Sequence, residues 1–346
     1  MEELSKLLEE YHKAPQIYQA GRYWKEKENE IIKKIKQADI KELRSGKYEI
    51  FAAFGFSETT YNYYSSLPFY INLAKKFIRE YLIADRNVLP YTMSLSDIRG
   101  MAYRHCEIMG ELAGIKPISE LETSTFGNPQ DLFEIKGKKY TMAFLTNYVR
   151  LCYAQKYLKL QGNETVVELG SGSGHQVEIL KKVFPNLTIL CFDLPYVLHL
   201  CGIYLSNILG EDMVNRPIKT IQLNNIQNLE KGKVYMFGNW QFPLIKDITF
   251  DVFWNAASFG EMEPDIVKNY LSFVLDNCKF ITLIQAKFGK ESSKSSGVVT
   301  PITFEDYVTM LGGFELIYCD DAYQANARLS QSRGYFYGIW HKEEMI

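Results

Sequence analysis

Two hydrophobic rhythms divide the chain. Over the first 120 residues, apolar positions recur at three- and four-residue spacing with charges between them, which predicts amphipathic helices. The pattern is carried by SKLLEEYHKA from Ser5, by YWKEKENEIIKKIKQADIKELRSG from Tyr23, and by YYSSLPFYINLAKKFIREYLIA from Tyr63, broken at Pro68. A fourth stretch, SLSDIRGMAYRHCEIMGELAG, offers Ser94 or Ser96 as an N-cap and stops at Gly114. Residues 120–140, ELETSTFGNPQDLFEIKGKKY, read as turns around a short extended piece. TMAFLTNYVRLCYAQKYLKLQG then reads as one helix ended by Gly162.

From residue 165 the rhythm changes to continuous apolar runs separated by helical patterns. The runs are TVVELG, TILCFD, KVYMFG, FDVFWNAA, KFITLIQA, FELIYCD and GYFYGIWH. Apolar strands between helices predict an α/β fold with a mainly parallel sheet covered on both faces. The last two runs are linked by DAYQANARLSQSR, which has little helical amphipathicity, so an antiparallel final pair is expected. The domain division expected is a helical region over 1–120 and a sheet domain over 121–346.

Composition adds exclusions. Apolar residues make up 47% and charged residues 23% of 346, the balance of a globular protein, and the net charge of −2 gives no electrostatic reason to expect nucleic acid. No apolar run reaches the length of a membrane span. Cys106, Cys152, Cys191, Cys201, Cys278 and Cys319 form no Cys-x-x-Cys and no zinc-type spacing, which fits a reducing cytoplasm. Asp320-Asp321 alone does not define a metal site, and none is expected.

The chemistry centres on ELGSGSGH. In an open α/β sheet, ligands bind at the carboxyl ends of strands, so Gly170, Ser171, Gly172 and Gly174 stand at a ligand position. The dinucleotide fingerprint is Gly-x-Gly-x-x-Gly. Here the spacing is Gly-x-Gly-x-Gly, and His175 occupies the place of that third glycine. With Glu168 the stretch becomes Glu-x-Gly-x-Gly-x-Gly, which resembles motif I of the S-adenosylmethionine-dependent methyltransferases. Asp193, at the end of the second run and followed by Leu194, suits both ribose hydroxyls. The third run ends in Gly238-Asn239-Trp240, where many such enzymes carry an acid that touches the adenine amino group. Asn239 can accept that bond through its amide oxygen, and Trp240 either stacks on adenine or fills the helix–sheet interface. Seven strands with an antiparallel end match the Rossmann-like architecture of the same superfamily.

The fourth run leads to Asn255, Ser258, Glu261 and Glu263. Methyl transfer to an alcohol needs orientation and a proton acceptor. Glu261 is the first candidate, with helix capping by Glu261 and Glu263 as its alternative role. His175 is the second, because a helix N-terminus favours neutral imidazole. The polar loops KFGKESSKSSGVVTPIT and DDAYQANARLSQSR could cover an acceptor.

GRYWKEKENEIIKKI, FGNPQDLFEIKGKKYTMAFLTNYVR, VVELGSGSG and NAASFGEM together resemble the sugar O-methyltransferase family of bacterial polysaccharide gene clusters. The resemblance implies S-adenosyl-L-methionine as donor, S-adenosyl-L-homocysteine as product, and a carbohydrate-like small-molecule acceptor. It also implies that Gly127-Asn128-Pro129, Tyr140 and Arg150 help close the donor site, or else weld the helical region to the sheet. The helical region would wall the acceptor pocket and could pair two copies. Aminopropyl transfer is disfavoured because no Asp-Asp pair follows the fourth run, and an NAD-dependent oxidoreductase by the loop spacing. A donor-binding subunit without catalysis, or a non-sugar acceptor, is the alternative.

Overall fold

The computed structural model describes residues 1–48, 95–290, 298–322 and 334–342. The helix expected from Tyr63, the Ser94 cap and most of the 321–333 connection lie outside the described residues.

Chain contacts define two compact units. The first comprises residues 1–36, 154–322 and 334–346; the second comprises 37–153 and 323–333. Helix Glu2–Lys13 puts Leu4, Leu7 and Tyr11 into the core of the sheet unit. Its Glu3 accepts from Arg216 at 2.6 Å and lies 2.8 Å from His199 Nδ1, a polar cluster that fastens it to helix Pro195–Leu209. Amphipathic periodicity shows that a helix has a buried face, but not which partner buries it.

The chain first forms a small antiparallel hairpin, β1 (Phe133–Ile135) and β2 (Lys138–Tyr140), in the second unit. Lys136 and Gly137 turn it with φ of 52° and 76°, the left-handed pair a tight hairpin needs. The large sheet of the first unit contains β3 (Thr165–Leu169), β4 (Thr188–Asp193), β5 (Val214–Asn215), β6 (Val234–Gly238), β7 (Phe250–Ala256), β8 (Cys278–Ala286), β9 (Phe314–Asp321) and β10 (Tyr335–Lys342). Its order is β5-β6-β4-β3-β7-β8-β10-β9, with β10 antiparallel to both neighbours and the other pairs parallel. All seven expected strands are present, and the antiparallel end is as expected. The eighth, β5, has only two residues, too few to carry a period.

Alternation along the strands sorts the two faces. Val167, Leu169, Leu190, Phe192, Phe237 and Phe253 meet Val267, Tyr270, Leu271 and Val274 of helix Pro264–Val274 in one apolar layer. Helix Pro195–Leu209 covers the other face, where a Cβ on its Gly202 would lie 3.3 Å from Met236 of β6. The helix expected to run to Gly162 spans Met142–Leu158. Lys159 takes φ of 50° after it, and the Gln155 amide bonds both N–H and carbonyl of Leu160, so the cap falls before the glycine. Among the described residues no helix is long and apolar enough to cross a membrane.

Candidate active site

The strand order reverses between β3 and β7, and Gly170–Gly174, Asp193, Gly238–Trp240 and Asn255 stand at the carboxyl ends of β3, β4, β6 and β7 near that point. Gly170, Gly172 and Gly174 hold φ of 81°, 54° and 79°. At Gly170 the need is also steric, since a Cβ would fall 2.4 Å from Cβ and Oγ of Ser258, in the loop after β7. The turn is therefore pressed against the neighbouring loop. All three glycine N–H groups are used internally: Gly170 donates to the Phe192 carbonyl at 2.8 Å, Gly174 to the Ser171 carbonyl at 2.9 Å and Gly172 to Asp193 Oδ2 at 2.8 Å. Leu194 donates to Oδ1 at 2.7 Å, so Leu194 contributes its backbone and fixes the carboxylate.

Two acids here are held far from their usual range. Burial pushes Asp193 up to about 7, against the Gly172 and Leu194 bonds, and the charge of Glu261 adds to the rise. Burial pushes Glu168 up to about 8, with the Ser171 hydroxyl opposing and Asp193 reinforcing. Glu168 is 3% exposed and its Oε2 has no partner among the described residues.

At the end of β6, Gly238 pairs directly with Asp193 across the sheet. Asn239 is buried and donates to the Tyr18 carbonyl at 2.6 Å and the Tyr270 hydroxyl at 3.0 Å, while its Oδ1 has no partner among the described residues. Trp240 is half-buried. Its ring lies over Gly238, where a Cβ would come within 2.2 Å of it, and against Tyr11 at 5.8 Å. The glycine thus makes room for the indole, which packs with the N-terminal helix.

Asn255, expected from the sequence as a donor contact, lies near the end of β7. Fully buried, it donates to the Leu169 carbonyl at 2.8 Å and Ser258 Oγ at 2.7 Å, and its oxygen accepts from Phe259 N and Gln285 Nε2. Its amide is saturated by protein groups. It clamps the β7 loop to the end of β3.

The clamp presents Glu261. Its Oε2 accepts from Trp24 Nε1 at 2.9 Å, and its Oε1 pairs with the Lys290 ammonium. Gly21 passes close to the Glu261 carbonyl, so the N-terminal segment lies along this loop. Glu263 does not cap through its side chain. Its two oxygens accept from Val299 and Thr300, anchoring the segment beyond β8. His175 begins helix His175–Val183, with Nδ1 3.0 Å from Ser173 Oγ and its ring edge-on to Tyr204 at 5.5 Å. Tyr204 donates to Glu178 at 2.6 Å. These partners of His175 and those of Glu261 do not overlap.

Tyr140 and Arg150 belong to the second unit. Tyr140 is wholly buried and donates to the Ile118 carbonyl at 3.1 Å. Arg150 lies 3.5 Å from Asn147 Oδ1. Arg44, also buried, donates to the Ser124 carbonyl and packs on Gly127, which explains the glycine of the Gly-Asn-Pro element. Asp321 pairs with Lys287 at 2.5 Å, and no group of three or more metal-type ligands occurs among the described residues.

Sequence reasoning missed Trp24, Lys290 and Tyr270. Trp24 lay within the aromatic-Trp opening and Lys290 within the expected acceptor loop, but neither position alone points to Glu261. Tyr270 had no signal beyond helical periodicity.

No protein-family profile matches the sequence. No curated protein matches it either. Among solved structures it is similar to the mitomycin 7-O-methyltransferase, at 12% identity and a TM-score of 0.38 over 57% of each chain. It is also similar to a SAM-dependent methyltransferase from Aquifex aeolicus, at 17% identity and a TM-score of 0.35 over 55% of this chain and 87% of that one. A third is a cyclopropane-fatty-acyl-phospholipid synthase-like protein from Lactobacillus casei, at 11% and 0.41 over 69% and 99%. Likenesses this distant do not assign an activity to the chain.

Proposed function

We propose that the chain is an S-adenosyl-L-methionine-dependent O-methyltransferase that acts on a hydroxyl of a sugar or sugar-like small molecule. The observation that carries the donor reading is the row formed by β3, β4 and β6. Three adjacent parallel strands end in a glycine turn, a carboxylate and an amide oxygen with no partner among the described residues. These suit the donor's backbone approach, ribose and adenine amino group, and the glycine spacing is not that of a dinucleotide site. Asp193 would take the ribose hydroxyls, Asn239 the amino group, and the turn Gly170–Gly174 would lie along the remainder.

The donor supplies an electrophilic methyl on a sulfonium. The chain has to hold the acceptor hydroxyl in line and receive its proton. Glu261 shares the surroundings of Asp193 and has two donors fixing its carboxylate, which leaves lone pairs for an incoming hydroxyl. His175 is the second candidate base. The sugar-like acceptor rests on the sequence resemblance. The six free cysteines support a reducing cytoplasm. Exposed Met101, Ile108 and Leu112, on one stripe of helix Leu95–Ala113, support pairing of two copies.

A second reading is a donor-binding subunit without catalysis. It is favoured by the fact that both Glu261 oxygens already hold protein donors. Isotopic methyl transfer to a panel of glycosides and nucleotide sugars, beside calorimetry with S-adenosylhomocysteine, separates the readings. Transfer to a sugar hydroxyl supports the first, binding without any transfer supports the second, and transfer to a non-sugar retains only the methyltransferase.

A further inference from the structure

Ser258 heads the turn Phe259–Glu261, but its side chain does not cap it. The hydroxyl donates to the Leu169 carbonyl at 3.1 Å. The first N–H groups of a helical turn have no partner within the turn, so other groups have to take them. Two side chains from different strands do so. Asn255, near the end of β7, accepts from Phe259 N at 3.2 Å through Oδ1. Gln285, near the end of β8, accepts from Gly260 N at 3.1 Å through Oε1. The two amides are joined, because Gln285 Nε2 donates to Asn255 Oδ1 at 2.6 Å.

Neither amide can turn round. Each meets a backbone group that has only one role. Turning Asn255 would set its oxygen against the Leu169 carbonyl, to which its nitrogen donates at 2.8 Å. Turning Gln285 would set its nitrogen against the Gly260 N–H and its oxygen against Asn255 Oδ1. Gln285 is 1% exposed and Asn255 is wholly buried, so water cannot replace a bond that is lost. Ala257, between Asn255 and the turn, holds φ of 66°. A residue with a Cβ keeps that conformation only where its surroundings impose it.

The turn carries Glu261. A Cβ on Gly260 would lie 3.4 Å from Gln285 Oε1 and 3.8 Å from Lys290 Cγ, so the lysine stem passes over the glycine that Gln285 holds. Lys290 pairs with Glu261 Oε1, and Trp24 Nε1 donates to Oε2 at 2.9 Å. We propose that Gln285 is a positioning residue for methyl transfer: its amide, coupled to that of Asn255, sets the turn that aims the Glu261 carboxylate. The inference rests on the reading above in which Glu261 receives the acceptor's proton. Gln285 acts through the Gly260 backbone and needs no contact with donor or acceptor. In the sequence it is only a polar residue near the end of an apolar run.

The test uses the full chain labelled with fluorotryptophan and read by fluorine NMR. Trp24→Phe assigns the Trp24 resonance, and Glu261→Gln shows where it moves when its carboxylate partner is lost. Gln285→Leu should move it in the same direction. It should also slow isotopic methyl transfer to the wild type's sugar acceptor by roughly ten- to a hundredfold at unchanged KM. Affinity for S-adenosylhomocysteine should stay within about twofold in calorimetry. A merely structural role would shift the Trp340 resonance as well and weaken donor binding. Gln285→Glu carries the test if Gln285→Leu does not fold. Its protonated carboxyl can donate to Asn255 as the amide does, whereas the ionised form opposes oxygen to oxygen. Its Trp24 resonance should match the wild type at low pH and depart from it as pH rises. A folded Gln285→Leu with the Trp24 resonance unmoved or transfer undiminished, or a Gln285→Glu that follows the wild type at every pH, would overturn the inference. Undiminished transfer by Glu261→Gln, or none by the wild type to any glycoside or nucleotide sugar, would remove the reading of Glu261 on which it rests.

Discussion

Gly172 donates its backbone N–H to Oδ2 of Asp193 at 2.8 Å, so the turn after β3 and the end of β4 hold each other in place. Asp193→Ala removes both the expected ribose acceptor and this tie. Affinity for S-adenosylhomocysteine should fall by at least roughly thirtyfold in calorimetry, with the circular dichroism unchanged. Unchanged affinity would remove the ribose assignment.

The raised pKa of Asp193 predicts pH-dependent donor binding. Ribose hydroxyls prefer the carboxylate, but below about 7 the free protein holds a proton there. Binding then has to release it, so affinity should drop as pH falls from 8 to 6, by at most about tenfold per pH unit for one proton. The binding enthalpy should also vary with the ionisation enthalpy of the buffer. A flat profile would mean that Asp193 does not face the ligand.

Stability of the free chain should move the other way. Glu168, at about 8, and Asp193, at about 7, both lie above their unfolded values of about 4. Between those limits the folded state binds more protons than the unfolded one. Their contribution is full below about pH 4 and is lost as pH rises to 7–8. Glu168→Gln, neutral at every pH, should flatten the fall of Tm between pH 5 and 8. A slope equal to or steeper than wild type would contradict this.

Gly170→Ala meets two obstacles, a φ of 81° and a Cβ 2.4 Å from Ser258. The expected loss is at least about 2 kcal/mol by urea unfolding. Ser258→Gly added to it should relieve the contact but not the backbone term, giving partial recovery. Full stability in the single variant would show that the turn and the β7 loop do not pack this closely.

Trp24→Phe keeps an aromatic ring but takes the indole donor from Glu261. Methyl transfer should slow by about tenfold with donor affinity within twofold, and Glu261→Gln should slow it further. Wild-type turnover in both variants would shift the proton-acceptor role to His175.

Period and spacing in the sequence are enough to locate the seven long strands, the antiparallel end, the glycine turn and Asp193. These features are local: strand runs, glycines that only a left-handed turn demands, and an acid at a strand end. Asn255 shows where that reading stops. Its position after β7 was legible, but its four protein partners come from β3, the β7 loop and β8. The helical pattern of residues 2–13 was legible too, while its place against the sheet unit was not. The pairing of Trp24 with Glu261 spans 237 residues of chain, and that of Tyr18 with Asn239 spans 221. A side chain's type fixes which bonds it can make. Which of them it does make, and which atom is left open for a ligand, is decided only when folding brings distant partners within hydrogen-bond reach.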